Sequence, residues 1–247
     1  MNLLHDKMPA TPSPMKWTRQ RYDRGIELGV FTTEDRIELL DGIIFDHDQP
    51  PLGVVKGLHL LEPPKPMKWT RARYDECVAK GILTTEDKVE LLDGEILEMS
   101  PQQTLHAVAV TLTQDKLNAS FGAGHVIRVQ LPFVLDDGSE PEPDIAVVVG
   151  GPRDYLVAHP SKAELIVEVA ESSLTLDCGR KLAAYARNGV PEYWIVNLLD
   201  RQIEICRKPE STADGADYTE KQTIRSGESI APLAQPDQTI AADDLLP

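Results

Sequence analysis

Two carboxylates in this 247-residue chain stand where a carboxylate is costly to keep. Asp144 opens the apolar run Ile145–Val149, and Glu168 interrupts the run Leu165–Val169. A charge inside such a run needs a partner or a bound cation. Strand alternation puts Ile166 and Glu168 on one face, and Leu165, Val167 and Val169 on the other. If the two runs are neighbouring strands, the two acids meet across the ladder. Convergent carboxylates with room for water form a hard-oxygen site suited to Mg²⁺ or Mn²⁺. The alternative is purely structural: Asp144 caps a strand and Glu168 pairs with a Lys or Arg. Asp177, Lys181, Tyr185 and Asn188 follow at helical spacing and share one stripe. That stripe is either a solvated face or one that turns Lys181 back at the acids, where its ammonium would stabilise charge developing at a phosphoryl group.

These residues need elements to hold them. Thr70 is a plausible N-cap for a helix over 71–80 that ends at Gly81. Val89–Leu92, Asp93-Gly94 and Glu95–Met99 read as a hairpin with a tight turn. A helix is expected over 103–121, with Leu105, Val108, Ala109, Leu112 and Leu117 as its apolar face. Val126–Val129, Pro132–Leu135, Ile145–Val149 and Leu165–Val169 read as strands. A helix over 176–188 and a strand pair, Glu192–Asn197 with Gln202–Arg207, follow. Pro209–Asp217 reads as a polar loop, and Tyr218–Ile224 as an edge strand. Glu192, Tyr193 and Trp194 read as core. This order predicts an α/β protein with a mixed sheet flanked by helices.

The start of the chain repeats itself. Met15–Gly42 and Met67–Gly94 are offset by 52 positions and identical at 18 of 28. The copies diverge after a shared Leu-Leu-Asp-Gly, and the first runs into a Pro/Gly linker, Gln49–Pro66. A unit of roughly 30 residues cannot bury a core alone. Residues 1–66 therefore read as a partial duplicate plus linker, docked or loosely attached, and 67–247 as the main domain. The first copy carries Glu38 at the position of Glu90, but nothing matching Asp144, Glu168 or Lys181, so it cannot form a second site of this kind. At the level of sequence it reads as a sheet-edge or dimer-seam element, or as a competitor for the second copy's place.

Composition narrows the chemistry. Lys+Arg is 25 against Asp+Glu 40, a formal net charge of −15. A protein that wraps nucleic acid by bulk electrostatics is basic, so any such contact must be local, metal-assisted or transient. Arg71, Arg73, Lys88, Arg128, Arg180 and Arg187 are candidates for a local basic rim, or else scattered solubilising charges. Three isolated cysteines support neither a disulfide framework nor a cysteine zinc site. No apolar run approaches a membrane span, and a cytoplasmic location is expected.

Five stretches together resemble one family: VELLDGEILEMSP with the following His106, PEPDIAVV, LIVEVAESS, Asp177 with Lys181, and AYARNGVPEYWIVN. They resemble the Uma-type putative restriction endonuclease family, a bacterial branch of the PD-(D/E)XK nuclease superfamily, over about residues 67–206. The resemblance implies a restriction-endonuclease-like mixed β-sheet flanked by helices, here preceded by the duplicated helix–strand segment. It implies that Asp144 and Glu168 bind a divalent metal, Mg²⁺ or Mn²⁺, with the backbone carbonyl of Val169. It assigns Glu90, Asp144, Glu168 and Lys181 as catalytic, with His106 and Ser172 as supporting residues. The superfamily lysine usually lies two residues after the acid, where this chain has Ala170, and Lys181 on the next helix takes its place. The implied activity is metal-dependent hydrolysis of DNA phosphodiesters, with DNA as a local and transient partner and homodimerisation as in other proteins of this fold. A catalytically inactive nuclease-fold binding or regulatory module, and a hydrolase of another phosphodiester such as RNA, stay open.

Overall fold

A computed structural model describes residues 12–47, 64–213 and 215–247. The chain divides into two compact units, Ser13–Glu98 with Asp137–Ser139, and Met99–Asp136 with Glu140–Pro247. The second copy's helix and hairpin group with the first copy, because most of their apolar partners are there.

In the first of these units each copy makes the same parts. The first copy supplies β1 (Ser13–Pro14), α1 (Arg19–Glu27), β2 (Ile37–Leu40) and β3 (Ile43–Asp46). The second supplies β4 (Lys65–Pro66), α2 (Arg71–Ala79), β5 (Val89–Leu92) and β6 (Glu95–Glu98). Thr18 and Thr70 cap the helices by accepting from Arg21 N and Arg73 N. Each hairpin turns on Asp-Gly with both residues at positive φ, Asp41 and Gly42 in one and Asp93 and Gly94 in the other. That is the mirror-image turn whose twist matches the strands.

The copies exchange their leading strands. β1 of the first copy pairs with β6 of the second, and β4 of the second pairs with β3 of the first. Met15 N donates to Ile96 O and Met67 N to Ile44 O, both at 2.8 Å. Ion pairs cross reciprocally, Arg21 with Asp87 and Arg73 with Asp35. Trp17 and Trp69, equivalent by the offset, stack with centroids 5.1 Å apart and planes 6° from parallel. Two near-identical segments thus meet about a pseudo-two-fold axis through the tryptophan pair, and their buried side chains form one cluster.

The larger unit holds α3 (Thr104–Phe121), β7 (His125–Val129), β8 (Ile145–Val149), β9 (Leu165–Ala170), α4 (Leu174–Leu176), α5 (Leu182–Arg187), β10 (Glu192–Asn197), β11 (Gln202–Thr212), β12 (Gly215–Arg225), β13 (Ser229–Ile230) and β14 (Ile240–Ala241). One turn of π-helix, Asp177–Lys181, joins α4 to α5. The main sheet has the order β12-β11-β10-β9-β8-β7. Only β9 and β10 run parallel; the other pairs are antiparallel. Val147, Val167, Trp194, Val196 and Ile205 bury one face under α3 residues such as Ala109 and Leu117. Ala146, Ile166, Tyr193 and Ile195 bury the other with α5 residues such as Leu182 and Tyr185.

Three expectations are corrected. Pro132–Leu135 forms no strand. The buried stripe of α3 is Ala109, Val110, Thr113, Leu117 and Phe121, while Leu105 and Val108 are exposed. Pro209–Asp217 is the end of a long hairpin in which Pro209 pairs with Tyr218. β10 reaches along β11 only as far as Arg207, so Pro209 has an open side where its missing N–H costs no ladder bond.

Two expected outcomes follow for the duplicated unit. A Cβ on Gly25 would lie 2.5 Å from the Phe31 ring. The second copy has Cys77 and Leu83 at these positions, a larger residue facing a smaller one. Gly25→Cys should therefore cost about 1–3 kcal/mol in urea unfolding, and adding Phe31→Leu should recover most of it. The second outcome concerns acid. Burial alone would raise Asp35 and Asp87, but N–H donation from Thr32 and Thr84 and the arginines Arg73 and Arg21 outweigh it and hold both below the usual 3.8. A depressed folded-state pKa gives stability that is complete above the unfolded value and lost as pH falls through the folded one. Stability should thus decline as pH drops below 3.8, and urea titrations of the Asp35→Asn/Asp87→Asn protein should show a flatter pH dependence.

Candidate active site

The antiparallel register of β8 and β9 sets Ile145 opposite Val167. One step further sets Asp144 opposite Glu168, and residues directly opposite in a ladder project to the same face. Both acids are buried, Asp144 at 8% and Glu168 at 3% exposure. They are linked through the backbone. Asp144 N donates to Glu168 Oε2 at 3.2 Å, and Val169 N donates to Asp144 Oδ2 at 2.8 Å.

Each acid has its own set of donors. Gln130 Nε2 donates to Asp144 Oδ1 at 2.9 Å, and His106 Nε2 lies 3.1 Å from Oδ2. Glu168 Oε1 accepts from Lys181 Nζ at 3.0 Å and from Tyr185 OH at 2.8 Å. Lys181 is 2% exposed, so this is a fully buried ion pair. The reach of Lys181 follows from topology. β9 and β10 are parallel, so a helical crossover must lie over the sheet between them. The crossover's π turn ends at Lys181, and Tyr185 lies one turn on, both above Glu168. Such π turns recur at functional sites. Ser173 Oγ donates to the buried Asp177 at 2.5 Å, and Tyr193 OH donates to the carbonyl of Asp177 at 3.2 Å, anchoring the start of the turn.

The electrostatics favour an ionised Asp144. Burial works against its charge, but His106, Gln130 and Val169 N outweigh burial and hold its pKa below the usual range. Burial likewise opposes a charged His106, yet the hydrogen bond and charge of Asp144 raise its pKa above 6.5.

Of the residues singled out from the sequence, the structure brings together Asp144, Glu168, Val169, Lys181 and His106. Glu90 is buried on β5 of the duplicated unit, at 1% exposure. Its first-copy counterpart Glu38 is about half exposed and pairs with His47 at 3.2 Å. Gln130 was not foreseen. It follows β7 with a positive φ and carries no motif. Tyr185 was on the helical stripe, but its bond to Glu168 was not anticipated. Of the basic-rim candidates, Arg73 and Arg187 are engaged in ion pairs with Asp35 and Asp136. Glu192 is a structural acid that accepts from Trp194 Nε1 at 2.9 Å and Arg207 Nε at 2.8 Å. Burial pushes the thiols of Cys77 and Cys178 up to about 12 and that of Cys206 to about 11, so none is poised as a thiolate. Among the described residues no three His, Cys, Asp or Glu side chains form a metal cluster. A cavity of about 460 Å³ lies at the far end of β8, lined by Val149, Tyr155, Lys162 and Pro191 and not by the acids. Among the described residues no helix is long and apolar enough to cross a membrane.

The model of one family, "Uma2: Putative restriction endonuclease", matches residues 74–243. The chain belongs to this family. The match takes in Asp144, Glu168 and Lys181 and begins inside the second copy, leaving the first outside. The fold is similar to a solved structure described as a putative nuclease belonging to DUF820 from Anabaena variabilis ATCC 29413. The TM-score is 0.57 at 13% identity, covering 71% of this chain and 96% of that one. No curated protein matches the sequence significantly.

The buried ion pair makes a stability prediction. Lys181→Met strips Glu168 of its ammonium partner and should cost about 3–5 kcal/mol. Tyr185→Phe removes one bond to a charged group and should cost about 1.5–3 kcal/mol. Denaturant titration of the two proteins checks the order.

Proposed function

We propose that this chain is a restriction-type endonuclease that hydrolyses DNA phosphodiester bonds with a divalent cation at Asp144 and Glu168. The observation that carries the reading is the pairing of these acids across β8 and β9, with a buried lysine on Glu168. The donor set fits the cation. Both side chains offer hard oxygens, and among the described residues Asp144 Oδ1 accepts from Gln130 alone, which leaves it a lone pair. Mg²⁺ is held by one or two carboxylates and otherwise by water and substrate phosphate, so a cluster of three acids is not required. Asp144, Glu168 and the carbonyl of Val169 would hold it. When bound, the cation supplies Lewis-acid polarisation of the phosphate and a lowered pKa for attacking water.

The chain's own residues divide the remaining tasks. Gln130, His106 and Val169 N fix the Asp144 carboxylate and keep it ionised. Tyr185 orients Glu168. Lys181, already desolvated, presents its ammonium to negative charge building on the scissile phosphate and orients the water. Glu90 is assigned as the third acid on the strength of the family resemblance. The DNA contact is local and transient, in keeping with the net charge of −15.

The closed Lys181–Glu168 pair favours one second reading, a nuclease-fold binding module without catalysis. A plasmid-nicking assay in Mg²⁺ or Mn²⁺ separates the two. Wild type should nick, Asp144→Asn should lose at least about 100-fold, and Lys181→Met about 10²–10³-fold. Equal nicking by all three proteins rejects the assigned site. No nicking by wild type, with calorimetric Mg²⁺ binding lost in Asp144→Asn, supports the binding module. Cleavage of RNA but not DNA would change the substrate.

A further inference from the structure

We propose that the face of the second copy now covered by the first is self-complementary, so that two chains of this protein pair through their second copies when the first copy is displaced. The proposal concerns the duplicated unit and does not depend on the nuclease reading.

The argument is one of completeness. The ion pairs, the leading-strand pairings and the tryptophan stack each join one half from either copy, and the second copy contains both halves. Arg21 with Asp87 and Arg73 with Asp35 become, by the offset of 52, two equivalent pairs of Arg73 with Asp87 of a second chain. β1 on β6 matches Ser13 to Glu98 and Pro14 to Leu97; β4 on β3 matches Lys65 to Asp46 and Pro66 to Phe45. Both convert to Lys65 opposite Glu98 and Pro66 opposite Leu97, the same register twice. The tryptophan stack lies on the axis, so Trp69 would meet its own counterpart. This is the isologous geometry of a two-fold dimer, realised within one chain.

Two differences make the pairing of second copies the weaker arrangement. Phe31 packs edge-on to both Trp17 and Trp69, at 5.7 and 5.9 Å. Its counterpart Leu83 offers no ring. Lys80 Nζ donates to Leu28 O at 2.6 Å, and these positions are equivalent, so the homotypic pair would bring Lys80 near its own copy. Lys80 already pairs with Glu76, which softens that contact. Tethering also favours the first copy, because its pairing is intramolecular. Wild type therefore stays closed, and exchange needs a weakened first copy.

Trp17→Ala/Arg21→Glu in the full chain removes the stack and sets a second carboxylate against Asp87. The homotypic pair keeps Trp69 and both Arg73–Asp87 bridges. Sedimentation equilibrium should then report about twice the wild-type mass. Adding Trp69→Ala/Arg73→Glu should return the mass to that of wild type. Arg21→Glu alone, at a side chain 24% exposed, leaves the aromatic core untouched and should shift the same way at higher concentration. The proposal is overturned if the double variant unfolds cooperatively yet keeps the wild-type mass. It is overturned equally if the double variant fails to fold and Arg21→Glu keeps the wild-type mass, or if doubling survives the additional changes.

Discussion

The antiparallel register between β8 and β9 is the constraint on which the site depends. It sets two carboxylates face to face between strands whose other residues are apolar. Like charges that close and that buried are unfavourable without compensation. The neighbourhood supplies it from separate elements: His106 from α3, Gln130 after β7, Lys181 and Tyr185 from the crossover. A slip of the register by one residue would turn Glu168 into the opposite core layer, away from Lys181 and Tyr185. Register, polar network and helical crossover therefore support one another.

The duplicated unit follows a different logic. It has little intrinsic structure per copy, with strands of two and four residues and helices of nine. Neither copy alone has a full complement of partners for its tryptophan, its leading strand or its arginine. Stability comes from exchange: each copy supplies what the other lacks. The copies have also adjusted volume locally. Gly25 beneath Phe31 and Cys77 beneath Leu83 are two solutions to the same space. Substituting only one member of either pair leaves an overlap or a void.

Much of this was legible in the sequence, for identifiable reasons. Apolar runs marked β8 and β9, period-two alternation placed Glu168 with Ile166, and helical spacing aligned Lys181 with Tyr185. Repetition at a fixed offset exposed the duplicate. What stayed hidden depended on geometry between distant segments. Gln130 is a lone amide after a strand, and only the close approach of β7 to Asp144 gives it a role. In α3, Leu105 and Val108 satisfied the helical period yet lie outside the buried stripe, which takes in Val110 and Thr113 instead. The far part of the β11–β12 hairpin is solvated on both faces, so its polar residues carried no strand alternation. Sequence also could not tell whether the two copies lie apart or interlock, since both arrangements use the same residues.

The charge balance of the site carries a last consequence. Asp144 and Glu168 face a permanent cation, Lys181, and an imidazole whose protonation depends on pH. Neutral donors join them: Gln130, Tyr185 and two backbone N–H groups. Neutral donors lower the energy of a buried anion without cancelling its charge. A well-packed apolar replacement of such a network is commonly as stable or more so, so packing alone gives no reason for this arrangement. What the network does achieve is to hold the Asp144 carboxylate ionised and to fix both side chains in place, and it is on that ordered pair of hard oxygens that the proposed cation site rests.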